Sequence, residues 1–385
     1  MRVFVLLASA SLIASCGGAG GGVSSLGSGA PVSDTGSGNG TATPTPTPTP
    51  LPMGNPSPTP SAPAPTPLFQ VTATTAYTAL GSLQSMRIDP EGRQSYAGNA
   101  STAATPSGSI SYNPRDGIFT LALADTAATV TRNVRFQDPA HRTDHDGGYT
   151  PAREVIALNG FNYLEAADGE GLTTFFYQRP GARTNYVTLG GFVHVTANDS
   201  GRLDERGVFA FGTPTAASAV PRSGSGRYQG DFLASMVGTD FDSRSNTSGR
   251  LQWINGTSTV DVDFGRSSVA LTVNGTVSPA FMGRDSLPAA DLVIPSGSTF
   301  TATGTASIAD GAFAGRMTGA QFAAAGRTIA VDFAAVSPNS STAGASSLDG
   351  AFFGPDAAEI GGNFRIIGGI PDQRVDIHGA FAGGK

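Results

Sequence analysis

Residues 257–273 read TSTVDVDFGRSSVALTV, and the alternation within them decides the fold. Val260, Val262 and Phe264 alternate with Asp261 and Asp263; after a short break, Val269, Leu271 and Val273 alternate with Ala270 and Thr272. A period of two puts the apolar set on one face of a strand and the polar set on the other. The pattern returns at Ile329, Val331 and Phe333, and again at Val375, Ile377, Gly379 and Phe381. No apolar stripe at helical spacing exceeds two turns. Runs at 226–235, 248–254, 257–264, 268–276, 299–308, 311–319, 328–335, 347–353, 359–367 and 374–382 read as strands. Asn255-Gly256, Asn274-Gly275 and Asp310-Gly311 read as hairpin turns between them. Short strands at this spacing argue for an antiparallel barrel or sandwich; merging one or two runs gives an eight-stranded barrel, whose closure would remove sheet edges.

Upstream of this barrel (223–385), the runs Gly117–Leu123, Leu172–Tyr177 and Tyr186–Val195, with a turn at Asp168-Gly169, predict a smaller β-rich domain over 68–222. The break falls at Thr213-Pro214-Thr215 and Val220–Gly226. Residues 16–67 predict a disordered tether, Gly/Ser-rich to Gly40 and then Thr/Pro-rich, in which Asp34 is the only charge. Proline fixes φ and removes donors, so Thr41–Pro67 is expected in polyproline II, reaching on the order of 80 Å. Met1-Arg2 followed by the apolar stretch Val3–Ala14 reads as a signal peptide over 1–15, too short to span a bilayer. It ends Ile13-Ala14-Ser15-Cys16, which resembles a bacterial lipobox. That resemblance implies lipidation of Cys16, and Gly17 after it implies sorting to the outer membrane. The chain would then be lipid-anchored, its body at the cell surface.

Composition excludes several classes of chemistry. Of 385 residues, 14% are charged and the net charge is −6, without the basic clusters that nucleic-acid binding needs. Lys385 is the only lysine, which removes P-loop and Schiff-base chemistry. Cys16 is the only cysteine, which removes internal disulfides and thiolate metal sites. No cofactor is expected.

Three stretches carry a more specific signal. Gly224-Ser-Gly-Arg-Tyr228-Gln-Gly230 opens the second body. Gly350-Ala-Phe352-Phe-Gly354-Pro-Asp-Ala-Ala-Glu359-Ile-Gly361-Gly362-Asn-Phe364 stands near its end, and Gly379-Ala-Phe381 closes it. Together they resemble the C-terminal barrel of the transferrin-binding protein B family, surface lipoproteins that set a handle domain beside an eight-stranded barrel. The likeness covers 180–385 well and 68–180 weakly. It makes 68–222 a handle-like domain of a single-lobe member. Gly350, Gly354, Gly361 and Gly362 are read as allowing close strand approach and positive φ at a corner, with Phe352 and Phe364 supplying inward volume. The resemblance implies that Glu359 bonds barrel backbone, a structural role. It also implies a ligand among host iron proteins, haem proteins or complement regulators, although the single lobe and the excess of Arg over Lys depart from the pathogen type.

One titratable cluster remains, Asp138-Pro-Ala-His141-Arg-Thr-Asp144-His145-Asp146-Gly-Gly-Tyr149. Pro139 and Gly147-Gly148 oppose a helix that would bring His141 and His145 together, so it reads as a solvated loop, with a metal or haem contact as the alternative. His194 reads as packing beside Phe192, and His378 as needing no special role. Asp261 and Asp263 share a strand face at glycosidase-like spacing but read as an outer polar face. No catalytic set emerges. The expectation is a non-enzymatic surface receptor for an extracellular protein or protein-carried ligand, with a structural or adhesion lipoprotein as the alternative and a lumenal small-ligand carrier behind both.

Overall fold

The computed structural model describes residues 65–124, 131–137, 143–144, 151–152, 154–167, 171–181, 183–240, 249–282, 285–286, 292–334 and 346–385. Cys16, nearly all of the tether, Asp168-Gly169, His141, His145 and Asp146 lie outside the described residues. Ser61–Lys385 is one compact unit. Its described elements are strands, apart from 3-10 turns at Ala217–Ala219 and Pro355–Ala357, so the all-β expectation holds.

The N-terminal sheet contains β1 (Thr75–Ile88), β2 (Gln94–Ala100), β3 (Gly108–Asn113), β4 (Ile118–Ala124), β5 (Thr131–Gln137), β6 (Thr143–Asp144), β7 (Phe161–Ala167), β8 (Gly171–Gln178), β9 (Val187–Asn198) and β10 (Gly201–Gly212). Their order is β5-β4-β3-β1-β10-β9-β8-β7-β6, with β2 beside the second half of β1. The sheet rolls over an aromatic core. Phe119 on β4 lies 5.7 Å from Phe175 on β8, and Phe136 on β5 lies 5.6 Å from it, although those strands are far apart in sheet order.

The second sheet contains β11 (Ser225–Asp240), β12 (Arg250–Asp263), β13 (Ser268–Val277), β14 (Phe281–Met282), β15 (Asp285–Ser286), β16 (Thr299–Ala309), β17 (Ala312–Ala324), β18 (Arg327–Ala330), β19 (Ser346–Phe353), β20 (Glu359–Ile370) and β21 (Gln373–Gly384). The order β11-β21-β20-β19-β17-β16-β13-β12 closes through β12 on β11, giving the expected eight-stranded antiparallel barrel. The small strands β14, β15 and β18 hang from it. Phe232, Phe300, Phe322, Phe364 and Phe381 fill the interior with Met236 and Met317. Each such side chain contributes about 1.5–3 kcal/mol through burial.

Two expected hairpin turns prove to be strand interior. Asn255-Gly256 lies within β12 and Asn274-Gly275 within β13, with Gly256 directly opposite Gly275. The reason is packing: a Cβ on Gly275 would lie 2.6 Å from Cζ of Phe232, and one on Gly256 would run into Asn274 O, so one glycine makes room for that ring and the other lets the two strands approach. The β12–β13 turn falls instead at Phe264–Ser267, where Ser267 adopts φ 53°. Asp310-Gly311 is the turn that the sequence predicts, with both residues at positive φ. The run 328–335 shortens to β18, which pairs only with β17.

The two sheets pack through an apolar face. Leu233, Val237, Trp253, Phe353, Ala380 and Ala382 point out of the barrel onto Leu80, Met86, Phe176, Leu189, Val193 and Val208 of the N-terminal sheet. Strand β11 is therefore buried on both faces, which is why Phe232–Val237 reads almost continuously apolar.

Candidate functional site

The motif Gly350–Phe364 builds a corner that fastens one sheet to the other. Phe352 points inward between Tyr228, Phe264 and Phe313, with ring centroids 6.3, 5.4 and 5.8 Å away. After it the chain turns sharply through Gly354 (φ 74°), Asp356 (φ 50°) and Ala357 (φ 54°). Left-handed backbone at non-glycine residues is strained, and here surrounding bonds hold it. The Tyr228 hydroxyl donates to Ala357 O at 2.7 Å, the Thr215 hydroxyl donates to Gly354 O at 2.7 Å, and Thr215 N donates to Phe352 O at 2.8 Å. Glu359 then accepts three backbone bonds, from Asn185 N at 2.6 Å on Oε1 and from Tyr186 N at 2.8 Å and Val187 N at 3.0 Å on Oε2. These donors belong to the start of β9 and the residues before it, not to barrel backbone as the resemblance implies. Burial raises the Glu359 carboxyl above its ordinary range, against the pull of those three N–H groups.

The glycines serve different needs. Positive φ occurs at Gly354 but not at Gly350, Gly361 or Gly362, which correct the corner expectation. A Cβ on Gly350 would run into the Phe313 ring, whereas one on Gly362 would run into Asp349 O and lie 2.8 Å from Gly350 Cα, so the first accommodates an inward ring and the second the close strand approach that the sequence predicts. Gly361 faces out, where a Cβ would lie 2.8 Å from Val187 Cγ2 and 3.1 Å from Ala210 Cβ. Gly230 brings β11 against β21, since a Cβ there would run into Ala382 O. Phe364 packs inward over Gly379 and lies 6.2 Å from Phe232.

Two buried charge groups lie between the sheets. In the first, Arg365 grips Asp376 with bonds of 3.1 and 2.8 Å, and His378 Nε2 lies 2.9 Å from the same carboxylate. Gln84 of β1 donates to Ser235 O and Asp376 O at 3.4 and 3.3 Å. Burial pushes the Asp376 carboxyl up, but the charges and hydrogen bonds of His378 and Arg365 outweigh it and hold it well below the carboxylate range. His378 thus has a role that the sequence reading denies it. In the second group, Arg202 bridges Glu154 at 3.2 Å and Asp204 at 2.7 Å, beside Arg206. The Arg206 guanidinium is buried 5.1 Å from the Trp253 ring centroid and 4.3 Å from that of Phe281, and burial lowers its pKa to about 9. Trp253 Nε1 and Arg206 Nη2 both donate to Glu154 O, at 2.9 and 3.4 Å. The one available signal for this group was Asp204-Glu205-Arg206, three consecutive charges within a strand of a sparsely charged chain.

At the opposite end from the corner, the start of β12 meets the start of β2. Gly249 N donates there to Gln94 Oε1 at 2.6 Å, a bond between the two sheets. Of the acidic and His-bearing cluster, only Asp144 falls within a described strand, β6, opposite Asn162 on β7. Phe161, next to Asn162, lines a cleft of about 430 Å³ between the sheets, together with Leu158, Asn159, Gln178, Leu189 and Asp231. Gln178 Nε2 donates to Asp231 Oδ2 at 2.6 Å, and Arg183 Nε lies 3.6 Å from that oxygen. His194 is fully buried with Nδ1 2.6 Å from Thr173 Oγ1, consistent with packing. Asp261 and Asp263 are solvated and pair with Arg227 and Arg266 at 3.7 Å each. Among the described residues no three His, Cys, Asp or Glu side chains gather to hold a metal.

Known proteins match the barrel half. Residues 220–385 match the family described as the C-lobe and N-lobe beta barrels of Tf-binding protein B. Intact Ap-TbpB, with N and C lobes, is 13% identical over 83% of this chain and 79% of its own, at TM-score 0.32. A double mutant of transferrin binding protein B from Haemophilus parasuis Hp5 is 12% identical over 80% and 76%, at TM-score 0.33. The isotype 1 protein from serogroup B Neisseria meningitidis is 13% identical over 83% and 78%, at TM-score 0.26. No curated protein matches the chain.

Proposed function

We propose, from the match of residues 220–385 to the beta barrels of Tf-binding protein B, that this chain is an outer-membrane lipoprotein displayed at the cell surface and receiving an extracellular protein or a protein-carried ligand. The match of residues 220–385 to that family of barrels is the observation that carries the reading. The architecture suits the role: a filled barrel interior leaves loops and clefts, not the lumen, to meet a partner. Its partner could carry iron or haem. The domain scheme follows the same reading, with a signal peptide over 1–15, a tether over 16–67 anchored through Cys16, a handle-like domain over 68–222 and the barrel over 223–385. A tether widens the volume that the body can search while keeping a bound partner local. The lipid on Cys16 would provide the anchor. Labelled palmitate tests that step. The wild-type chain should take up label and Cys16→Ala should not; uptake by the variant, or none by the wild type, refutes the anchor.

A further inference from the structure

The cleft between the two sheets has a chemistry that the receptor reading does not use. Its lining includes the apolar residues Leu158, Phe161 and Leu189. The same lining includes Asn159, Gln178, Asn255 and Asp231, whose amides and carboxylate are planar polar groups, and the hydroxyl-bearing Thr257. Planar amide and carboxylate groups can engage two adjacent hydroxyls at once, and the apolar lining suits the C–H face of a sugar ring. Asp231 is already balanced by Arg183 at 3.6 Å and accepts from Gln178, so the cleft offers no uncompensated charge to an ionic ligand. Strands β8, β11 and β12 are each paired along both edges, so a peptide could not add as a strand. The volume of about 430 Å³ lies at the small end of ligand sites, which favour seams between packed bodies. An amphipathic, uncharged ligand rich in hydroxyls satisfies all of these features.

We propose that this cleft binds a neutral carbohydrate residue. The inference does not depend on where the chain resides or on its protein partner. Saturation-transfer NMR on the full chain, with the methyl glycosides of glucose, galactose, mannose and N-acetylglucosamine as probes, tests it directly. At least one glycoside should bind saturably, with Kd about millimolar. Asn159→Ala, at an exposed position, should weaken that binding by about three- to tenfold while leaving the far-UV dichroism and melting temperature unchanged. Asp231→Ala should weaken it at least as much. Four results would overturn the proposal: no glycoside binds, both variants bind as tightly as the wild type, only charged sugars bind, or a short peptide binds where no glycoside does.

Discussion

Replacing Glu359 by alanine removes the shared acceptor of three backbone N–H groups, those of Asn185, Tyr186 and Val187. An unpaired buried N–H costs roughly 1–3 kcal/mol, and water entering the space left by the side chain recovers part of it. Burial also penalises the carboxylate, as its raised pKa records, and that penalty vanishes with the side chain. The expected net loss is therefore about 3 kcal/mol, well below three full penalties. Glu359→Gln keeps one carbonyl oxygen, which can still serve Tyr186 and Val187, and turns an NH₂ toward Asn185; it should cost about 1–2 kcal/mol. The sign with pH follows from the direction of the shift. A raised carboxyl binds its proton more tightly in the folded state, so its burial penalty is present above the folded pKa and relieved as pH falls through it. Acid should therefore not open this corner. Urea denaturation gives the free energies, and hydrogen exchange at Asn185–Val187 should accelerate in Glu359→Ala before global unfolding. A loss under about 0.5 kcal/mol, or unchanged exchange at those three amides, would refute the clamp.

Other substitutions probe separate contacts. Asp349 is buried on β19, and burial pushes its carboxyl from 3.8 up to about 6. Its destabilisation is full above pH 6 and disappears as pH falls toward 3.8, so Asp349→Asn should gain up to about 3 kcal/mol at pH 8 and nothing at pH 3, read by urea denaturation. Gly361→Val should cost more than about 1 kcal/mol in thermal unfolding because its Cβ is opposed by Val187 and Ala210. Arg206→Ala should destabilise by about 2–4 kcal/mol, because it empties the space against Trp253 and Phe281 and leaves Asp204 with Arg202 as its remaining neighbouring cation. Adding Asp204→Asn should recover part of that loss, and strict additivity in the double-mutant cycle would show the two groups uncoupled.

The barrel was legible because most of its strands bury one face only. Val260, Val262 and Phe264 point inward and Asp261 outward, so a period of two is written plainly there. The strand β11 hides the same period because Leu233 and Val237 are covered by the other sheet while Phe232 and Met236 fill the barrel. Asn255-Gly256 misled because the dipeptide suits a turn, whereas here its glycine lets β12 approach the backbone of β13 at Asn274 and Gly275. Local sequence cannot display that need. The corner at Gly354–Glu359 was visible as a motif, but the acceptor role of Glu359 depends on backbone 172–174 positions away. The buried group around Asp376 has no contiguous signature, and Asp204-Glu205-Arg206 shows three charges of the other group without the Trp253 that covers them from the barrel. Period and turn chemistry report neighbours along one chain segment; contacts between sheets come from tertiary packing.

Protease shaving of intact cells tests the central proposal most directly. A surface-displayed lipoprotein predicts prompt loss of the body through cleavage within 16–67, together with cleavage of exposed loops, while periplasmic markers stay whole. Resistance of the chain until the outer membrane is breached would contradict surface display and, with it, the receptor reading.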